Sequence, residues 1–576
     1  MKKAMAVVSR KNIAIIASVL IAVVFSLVSM FVFLGGEGRG LLQFHVLPAE
    51  RWGIPADLEK RGFEPLLTVP GHSGWDGQFH FYIANDLLLQ KDTAQHIDAP
   101  TYRYQRIGLP LLARGLAFLT FGDWVSPLVY WGTSVLLVAA GTAAFAWMLA
   151  TVGLSPWLSL VWALSGGVQV TMLSGLPDAA ADALFLIALA CLCARRLWAY
   201  ALAGTLAVLT RETFVVAAAG LFLFQAATAW RAGRLFSRSG ILGLVPMALP
   251  GVVAILWQVS ILLRFGELPS QAPGVAGGLF NFPLQGWFET LVGTYRGTHP
   301  FAGASVPSSE FWLQPMHGVL IITAVTACVA LLRTKRHQPA MGIVAAAALP
   351  FALLATMLGI GVTAFWTGYL KATSFLFVPV LLSFALLPRW GAAVLGSVIT
   401  LMLALHQGAF WNRNLSDATI GANQYTNIEF LLNRPPSSFP ERLDCLGEYR
   451  SNLRLVGIEP FERRAFFRAA LGRSARYKLR INVTNVTSRP WRYAQGDGSV
   501  YLTGRWVDPV TRELVSFPRP SQIGEELKPG ESRELPLIVD VPANAPRADL
   551  IITMIQVGCA WFSEAGDPGA IRITLR

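Results

Sequence analysis

Two short stretches hold the residues best suited to chemistry. One is Gly74-Trp75-Asp76-Gly77-Gln78, with His72 and His80 four residues to either side of Asp76. The other is Tyr102-Arg103-Tyr104-Gln105-Arg106. A carboxylate such as Asp76 can take a proton from a hydroxyl as a general base, or it can fix a turn or cap the following helix. Arg103 and Arg106 stand one helical turn apart. Paired guanidiniums so placed bind a phosphate through parallel hydrogen bonds, or anchor to lipid headgroups. The spacing of His72, Asp76 and His80 would suit a metal on a helix, but the intervening glycines oppose a helix, so no metal site is expected.

Further charges lie within or beside apolar runs. Asp178 and Asp182 are four apart, on one helical face, just after Pro177. Asp178 is explained as a helix start; Asp182 lies a full turn deeper and is costlier in lipid. Arg211 and Glu212 sit between Thr210 and Thr213 and read either as a structural ion pair or as part of a polar cavity. Lys371 lies near the end of another apolar run. Three separate sets of charges meeting one face favour a cavity open to the outer leaflet.

The elements that must position these residues follow from composition. The chain has 576 residues, 54% hydrophobic and 14% charged. Soluble domains carry about a quarter charged residues, and apolar runs of roughly 17–25 residues match a bilayer core. The formal net charge is +13, yet Lys and Arg gather in short loops between apolar runs. That is the positive-inside pattern, so no nucleic-acid partner is expected and the lipid bilayer is. The first apolar run follows Lys2, Lys3, Arg10 and Lys11 and is long enough to be a retained anchor with a cytoplasmic N-terminus.

Placing the basic clusters at 195–196, 231–238, 333–336 and 389 inside predicts about eleven spans. They fall at 13–34, 126–150, 156–174, 178–194, 197–211, 214–230, 240–264, 315–333, 340–360, 368–387 and 391–408. The stretch 107–121 reads as an interfacial helix, and the two spans flanking 210–213 as a re-entrant pair in the alternative. Residues 1–410 thus form a polytopic α-helical membrane domain with long exported loops at 35–125 and 266–313. No transporter-type internal repeat is evident.

A linker at 411–435 leads to an exported domain at 436–576. Alternating and apolar runs at 477–486, 499–506, 533–541, 550–557 and 570–575 read as strands, with turns at Lys528-Pro529-Gly530 and Asp567-Pro568-Gly569. They predict an immunoglobulin-like β-sandwich. Trp491, Tyr501, Trp506, Trp561 and Phe562 suit its core ahead of a sugar-stacking face. Cys445 and Cys559, the two cysteines of this domain, are expected to pair in an oxidising compartment. Cys191, Cys193 and Cys328 read as buried apolar residues.

The 74–78, 102–106 and 211–213 stretches, set in this topology, resemble uncharacterised bacterial members of the GT-C superfamily of membrane glycosyltransferases, over roughly residues 10–410. The resemblance implies a multi-pass protein of the bacterial inner membrane. It implies inverting transfer of a sugar from a polyprenyl-phosphate carrier to a glycan, lipid or protein acceptor, with the C-terminal domain outside. Asp76 matches the acidic residue that deprotonates the acceptor, and Arg103, Arg106, Arg211 and Lys371 are candidates for the carrier phosphate. Asp178, Asp182 and Glu212 line the expected substrate cavity. The paired Asp-x-Asp of several members is absent, so no cofactor is assigned and a divalent metal stays open. The competing readings are a transporter or flippase of a lipid-linked sugar and, behind it, a noncatalytic scaffold.

Overall fold

The computed structural model describes residues 2–34, 52–63, 75–271, 280–296, 310–334, 338–363, 366–418, 445–460, 476–492, 499–510, 514–516, 518, 520–524, 526–541, 548–556 and 559–574. His72, Gly74, residues 35–51 and 64–74 of the first loop, residues 272–279 and 297–309 of the second, and the linker from 419 on lie outside them.

The helices that matter for the site are α1 (Lys2–Leu34), α2 (Gly77–Ala84), α3 (Pro100–Tyr104), α4 (Gly108–Leu119), α5 (Pro127–Thr151), α6 (Asp178–Cys193), α7 (Leu197–Thr210), α8 (Phe214–Arg231), α9 (Arg238–Phe265), α10 (Glu310–Arg333), α11 (Pro339–Thr356), α12 (Trp366–Thr373) and α13 (Arg389–Ala418). Their starts are written locally. Ser126 caps α5, its Oγ accepting from the Val129 N–H, with Pro127 fixing the first turn. Ser237 caps α9 in the same way, and Gly266 ends it in the left-handed conformation.

Seven helices among the described residues are long and apolar enough to cross a membrane, which fits a multi-pass membrane protein. They are Lys11–Met30, Pro127–Thr151, Phe214–Arg231, Arg238–Phe265, Leu313–Arg333, Gly368–Leu386 and Arg389–Gly408. The outer faces of several are apolar and exposed, as with Ile255, Leu256 and Leu263 of α9, and would meet lipid.

The expected count of about eleven is therefore corrected. The stretch 156–174 is not one span: Pro156 and the Ser165 cap divide it into a 3₁₀ turn and two short helices, Ser159–Ala163 and Gly166–Leu173. The regions 178–194, 197–211 and 340–360 do form helices, but α6 and α7 are only 16 and 14 residues long. Hydropathy cannot separate a short helix buried among other helices from one that spans. The stretch 107–121 holds α4, with Leu109, Ala113 and Ala117 buried and Phe118, Leu119 and Phe121 exposed.

Alanine-rich α6 is the packing centre, contacting α5, α7 and α11. Beside it Phe185 stacks on Phe214 at 4.6 Å, and Phe214 stacks on Phe351 at 5.1 Å and meets Phe375 edge-on at 5.2 Å.

The C-terminal strands are β1 (Ser451–Pro460), β2 (Arg476–Asn485), β3 (Val500–Val507), β4 (Leu514–Ser516), β5 (Ser521–Gln522), β6 (Ser532–Asp540), β7 (Asp549–Gln556), β8 (Ala560–Trp561) and β9 (Ile571–Thr574). One antiparallel sheet runs β1-β2-β6; the other runs β4-β3-β7-β8, with β5 on β3 and β9 on β7. Leu479, Ile481 and Leu537 of the first sheet share one apolar cluster with Leu502, Ile552 and Met554 of the second. All five expected strands are present within a residue or two. Strand β1, which holds the run Asn452-Leu453-Arg454-Leu455, is additional to them. Trp491, Tyr501, Trp506 and Phe562 are buried core residues, and Trp561 is half-buried under Arg505. Cys445 and Cys559 form a disulfide, with Cα atoms 5.8 Å apart.

Candidate functional site

Two glycines bring the site together. Gly77 starts α2 against residues 174–175; a Cβ there would overlap the Ser174 carbonyl oxygen. This holds Asp76 beside the start of α6. Gly108 starts α4 against the end of α7, where a Cβ would overlap the Thr210 hydroxyl and approach the Leu206 carbonyl. This holds Arg103 and Arg106 beside residues 211–213. The α3 segment is tied to α9 as well: Trp257 Nε1 donates to the Tyr104 carbonyl at 3.1 Å, and Thr101 Oγ1 donates to Glu267 Oε1 at 2.6 Å.

The named residues then fall into three ion-pair groups. Arg103 donates Nη1–H to Asp76 Oδ2 at 2.9 Å, while its Nε and Nη2 grip both oxygens of Asp98 at 2.9 and 2.7 Å. Arg106 holds Glu212 through two bonds, at 2.8 and 2.7 Å, and Nη2 also donates to the Tyr102 hydroxyl. The Tyr102 ring lies against both guanidiniums. Arg211 faces two carboxylates of α6, with Nε 3.4 Å from Asp178 Oδ1 and Nη1 3.8 Å from Asp182 Oδ1. It also rests over the Phe351 ring at 5.7 Å and donates to the Lys371 carbonyl at 3.2 Å. Asp182 Oδ2 accepts from Ser374 Oγ and Trp162 Nε1.

Lys371 differs from the arginines. Its ammonium has no ion-pair partner among the described residues, yet its charge acts on Asp76 and Asp178. The three arginines are already committed to carboxylates; among the described residues Lys371 is the cation of this cluster left over. Asp76 is open in a complementary way. Its side chain is 47% exposed, and Oδ1 has no hydrogen-bond partner among the described residues.

Electrostatics sharpen this. Burial alone would raise the Asp76 carboxyl, but Arg103 and Lys371 overcome it and hold the group at about 2. Burial would also raise Glu212, and Arg106 outweighs it to lower the group. His80 is fully buried, and burial, with Arg103 and Arg106, keeps its imidazole neutral well below its ordinary range. Neither ring nitrogen has a hydrogen-bond partner among the described residues.

Every candidate site residue is thus described, and all eight converge. The arrangement can accept a proton at Asp76 Oδ1 and offers, among the described residues, one cation without an ion-pair partner, Lys371, for an anionic group. Among the described residues no three His, Cys, Asp or Glu side chains gather to hold a metal ion. Sequence reasoning missed Asp98 and gave Tyr102 no part in anchoring the arginines; a carboxylate five residues before Arg103 was the available signal.

It also missed a second polar pair. Thr373 Oγ1 donates to the Tyr369 carbonyl, so it accepts from His317 Nδ1 at 2.6 Å. His317 Nε2 then accepts from His406 Nε2 at 2.9 Å, leaving His406 Nδ1 as an acceptor without a partner among the described residues. The pair backs α12, the helix that carries Lys371.

Comparison with protein-family models, with curated proteins and with solved structures finds no match to this chain.

Proposed function

We propose that the protein is an inverting glycosyltransferase that moves a sugar from a polyprenyl-phosphate carrier to an acceptor hydroxyl at the outer face of a bacterial inner membrane. In this reading the remaining apolar helices complete the crossing, the N-terminus is cytoplasmic, and the two C-terminal sheets form an exported immunoglobulin-like sandwich. The observation that supports it is a half-open carboxylate, Asp76, set in one cluster with a cation, Lys371, that has no ion-pair partner among the described residues. Inversion needs a base on one side of the anomeric carbon and a stabilised leaving group on the other.

The residues take distinct parts. Asp76 Oδ1 accepts the hydroxyl proton while Arg103 fixes Oδ2, so the carboxylate keeps one orientation. Lys371 meets the departing phosphate, and Arg211, which carries two carboxylates, meets it as a shared second cation. At about 2 the free Asp76 is a weak base. An anionic phosphate at Lys371 cancels the positive field that depresses Asp76, so donor binding itself strengthens the base. Asp98 and Glu212 keep Arg103 and Arg106 neutralised and in place before the donor arrives.

The test is sugar release from a panel of labelled polyprenyl-phosphate sugars by full-length protein in nanodiscs, comparing wild type with Asp76→Asn and Lys371→Met. Turnover by wild type, reduced by about 10²–10⁴-fold in Asp76→Asn, supports the assignment. Undiminished turnover in Asp76→Asn removes it as the base. Absence of turnover with every donor rejects the enzyme reading.

A further inference from the structure

His80 lies one turn after Asp76, so the two side chains share a face at the start of α2. It is completely buried, and both ring nitrogens lack a hydrogen-bond partner among the described residues. A histidine kept only for packing satisfies at least one nitrogen, because an orphaned buried polar atom forfeits its hydration with nothing in return. The charges facing it are Asp76 from its own turn, Arg103 on α3, Arg106 just beyond α3, and Asp178 at the start of α6. Two guanidiniums oppose a proton on the ring and two carboxylates favour one. Burial and the two guanidiniums together outweigh the two carboxylates, so the ring is neutral, and an anion arriving beside Arg103 and Arg106 moves the balance toward a proton.

We propose that His80 is a positioning residue that relieves Asp76 of the acceptor's proton, a role that rests on the glycosyl-transfer reading. The acceptor O–H bond breaks, and its electron pair forms the new bond to the anomeric carbon. The bond from that carbon to the carrier phosphate breaks, and its pair leaves on the phosphate. The proton goes first to Asp76 Oδ1 and then to a free nitrogen of His80. Asp76 returns to its anionic form, and the imidazolium stands among Asp76, Asp178 and the newly released phosphate. Nothing else is consumed, and the proton leaves His80 when the phosphate leaves the site. The consequence is that the charge of His80 follows occupation of the site by an anion.

Two measurements test this apart from one another. The first needs no activity: full-length protein with ¹⁵N-labelled histidine, in nanodiscs, is titrated with farnesyl phosphate, and His80→Gln assigns the signal. Conversion of the His80 signal to imidazolium, with its midpoint raised by at least about one unit, is the expected result. An unchanged His80 signal at saturating farnesyl phosphate overturns the proposal, whether the lipid phosphate binds elsewhere or not at all. The second is the pH profile of donor turnover. His80→Gln is expected to lower kcat by about 10–100-fold with KM within about 3-fold, and to lose the acid limb that wild type shows. A uniform drop at every pH, or none, overturns the role while leaving glycosyl transfer intact. Histidine protonation without turnover on any donor rejects the enzyme reading and keeps the anion-coupled histidine.

Discussion

Arg103 and Asp76 are joined by a single bond, Nη1 to Oδ2, although the guanidinium has an edge that could have gripped both carboxylate oxygens. That edge is taken by Asp98 instead. The result is a carboxylate oriented through one oxygen and, among the described residues, without a partner on the other. Asp98→Asn weakens the grip on that edge and lets Arg103 turn to hold both oxygens of Asp76. Donor turnover is expected to fall by about 10-fold, the small end of what a misplaced acid–base group costs. The check is kcat and KM for this variant beside Asp76→Asn; equal kcat in Asp98→Asn and wild type would show that the orientation is irrelevant.

Asp76 also carries a pH signature. An unfolded aspartate titrates near 3.9, whereas the folded group titrates at about 2. The lowered folded value means that its contribution to stability is complete above the unfolded value. It is lost as pH falls from about 4 through about 2. Melting of wild type and Asp76→Asn between pH 6 and pH 2 should therefore converge at the acid end. A gap that stays constant over this range would contradict the depressed value.

Arg106 and Glu212 form a largely buried pair with two short bonds. Glu212→Gln leaves Arg106 without a counterion and is expected to cost about 3 kcal/mol, the low end for breaking such a pair. The double variant Arg106→Met with Glu212→Gln should recover part of that loss, since no stranded charge remains. Thermal melts in nanodiscs provide the comparison, and strict additivity of the two substitutions would argue against a direct pair.

His317 and His406 offer a similar contrast without charge. His406→Leu strips His317 Nε2 of its buried partner and should cost about 1–3 kcal/mol. Replacing both by leucine removes both orphaned atoms and should cost less than the sum of the two single changes. Because the pair backs α12, the single variant should also raise KM for the donor through Lys371.

The C-terminal disulfide closes a separation of 114 residues. Cys445→Ser is expected to destabilise this domain by about 3–5 kcal/mol, in line with the loop entropy of so long a closure. Domain melting with and without reductant measures it; a wild-type midpoint indifferent to reductant would mean the bridge constrains nothing.

Much of this molecule is readable residue by residue, and the limits are physical. Asp76, Arg103 and Arg106 stand out because their types and spacing suit acid–base and phosphate chemistry, and Arg211 and Lys371 because charge beside apolar runs is costly, all of which is written along the chain. Their pairing is not. Arg106 meets Glu212 across 106 positions and Ser374 meets Asp182 across 192, and only helix packing brings such residues together. Gly77 and Gly108 look like ordinary loop glycines until the backbones they abut are in place. The interruption at Ser165 hides in a similar way, because a short helix walled in by α5 and α6 is as apolar as one facing lipid. The strands of the C-terminal domain were legible because alternation with period two survives any packing partner. Strand β1 was passed over although its Asn452-Leu453-Arg454-Leu455 run alternates exposed with buried or half-buried residues in the same way.

The Cys445–Cys559 bond also decides how the C-terminal domain bears load. Seven of its strands, β1 to β7, lie between the two cysteines. Tension applied between the chain entering at Cys445 and the chain leaving after Cys559 runs through the sulfur bridge and bypasses every one of them. Only β8 and β9 stand in the path of force. With the bridge intact the domain behaves as a clasped loop on a tether, and reduction turns it into a series of strands that can be unzipped one after another.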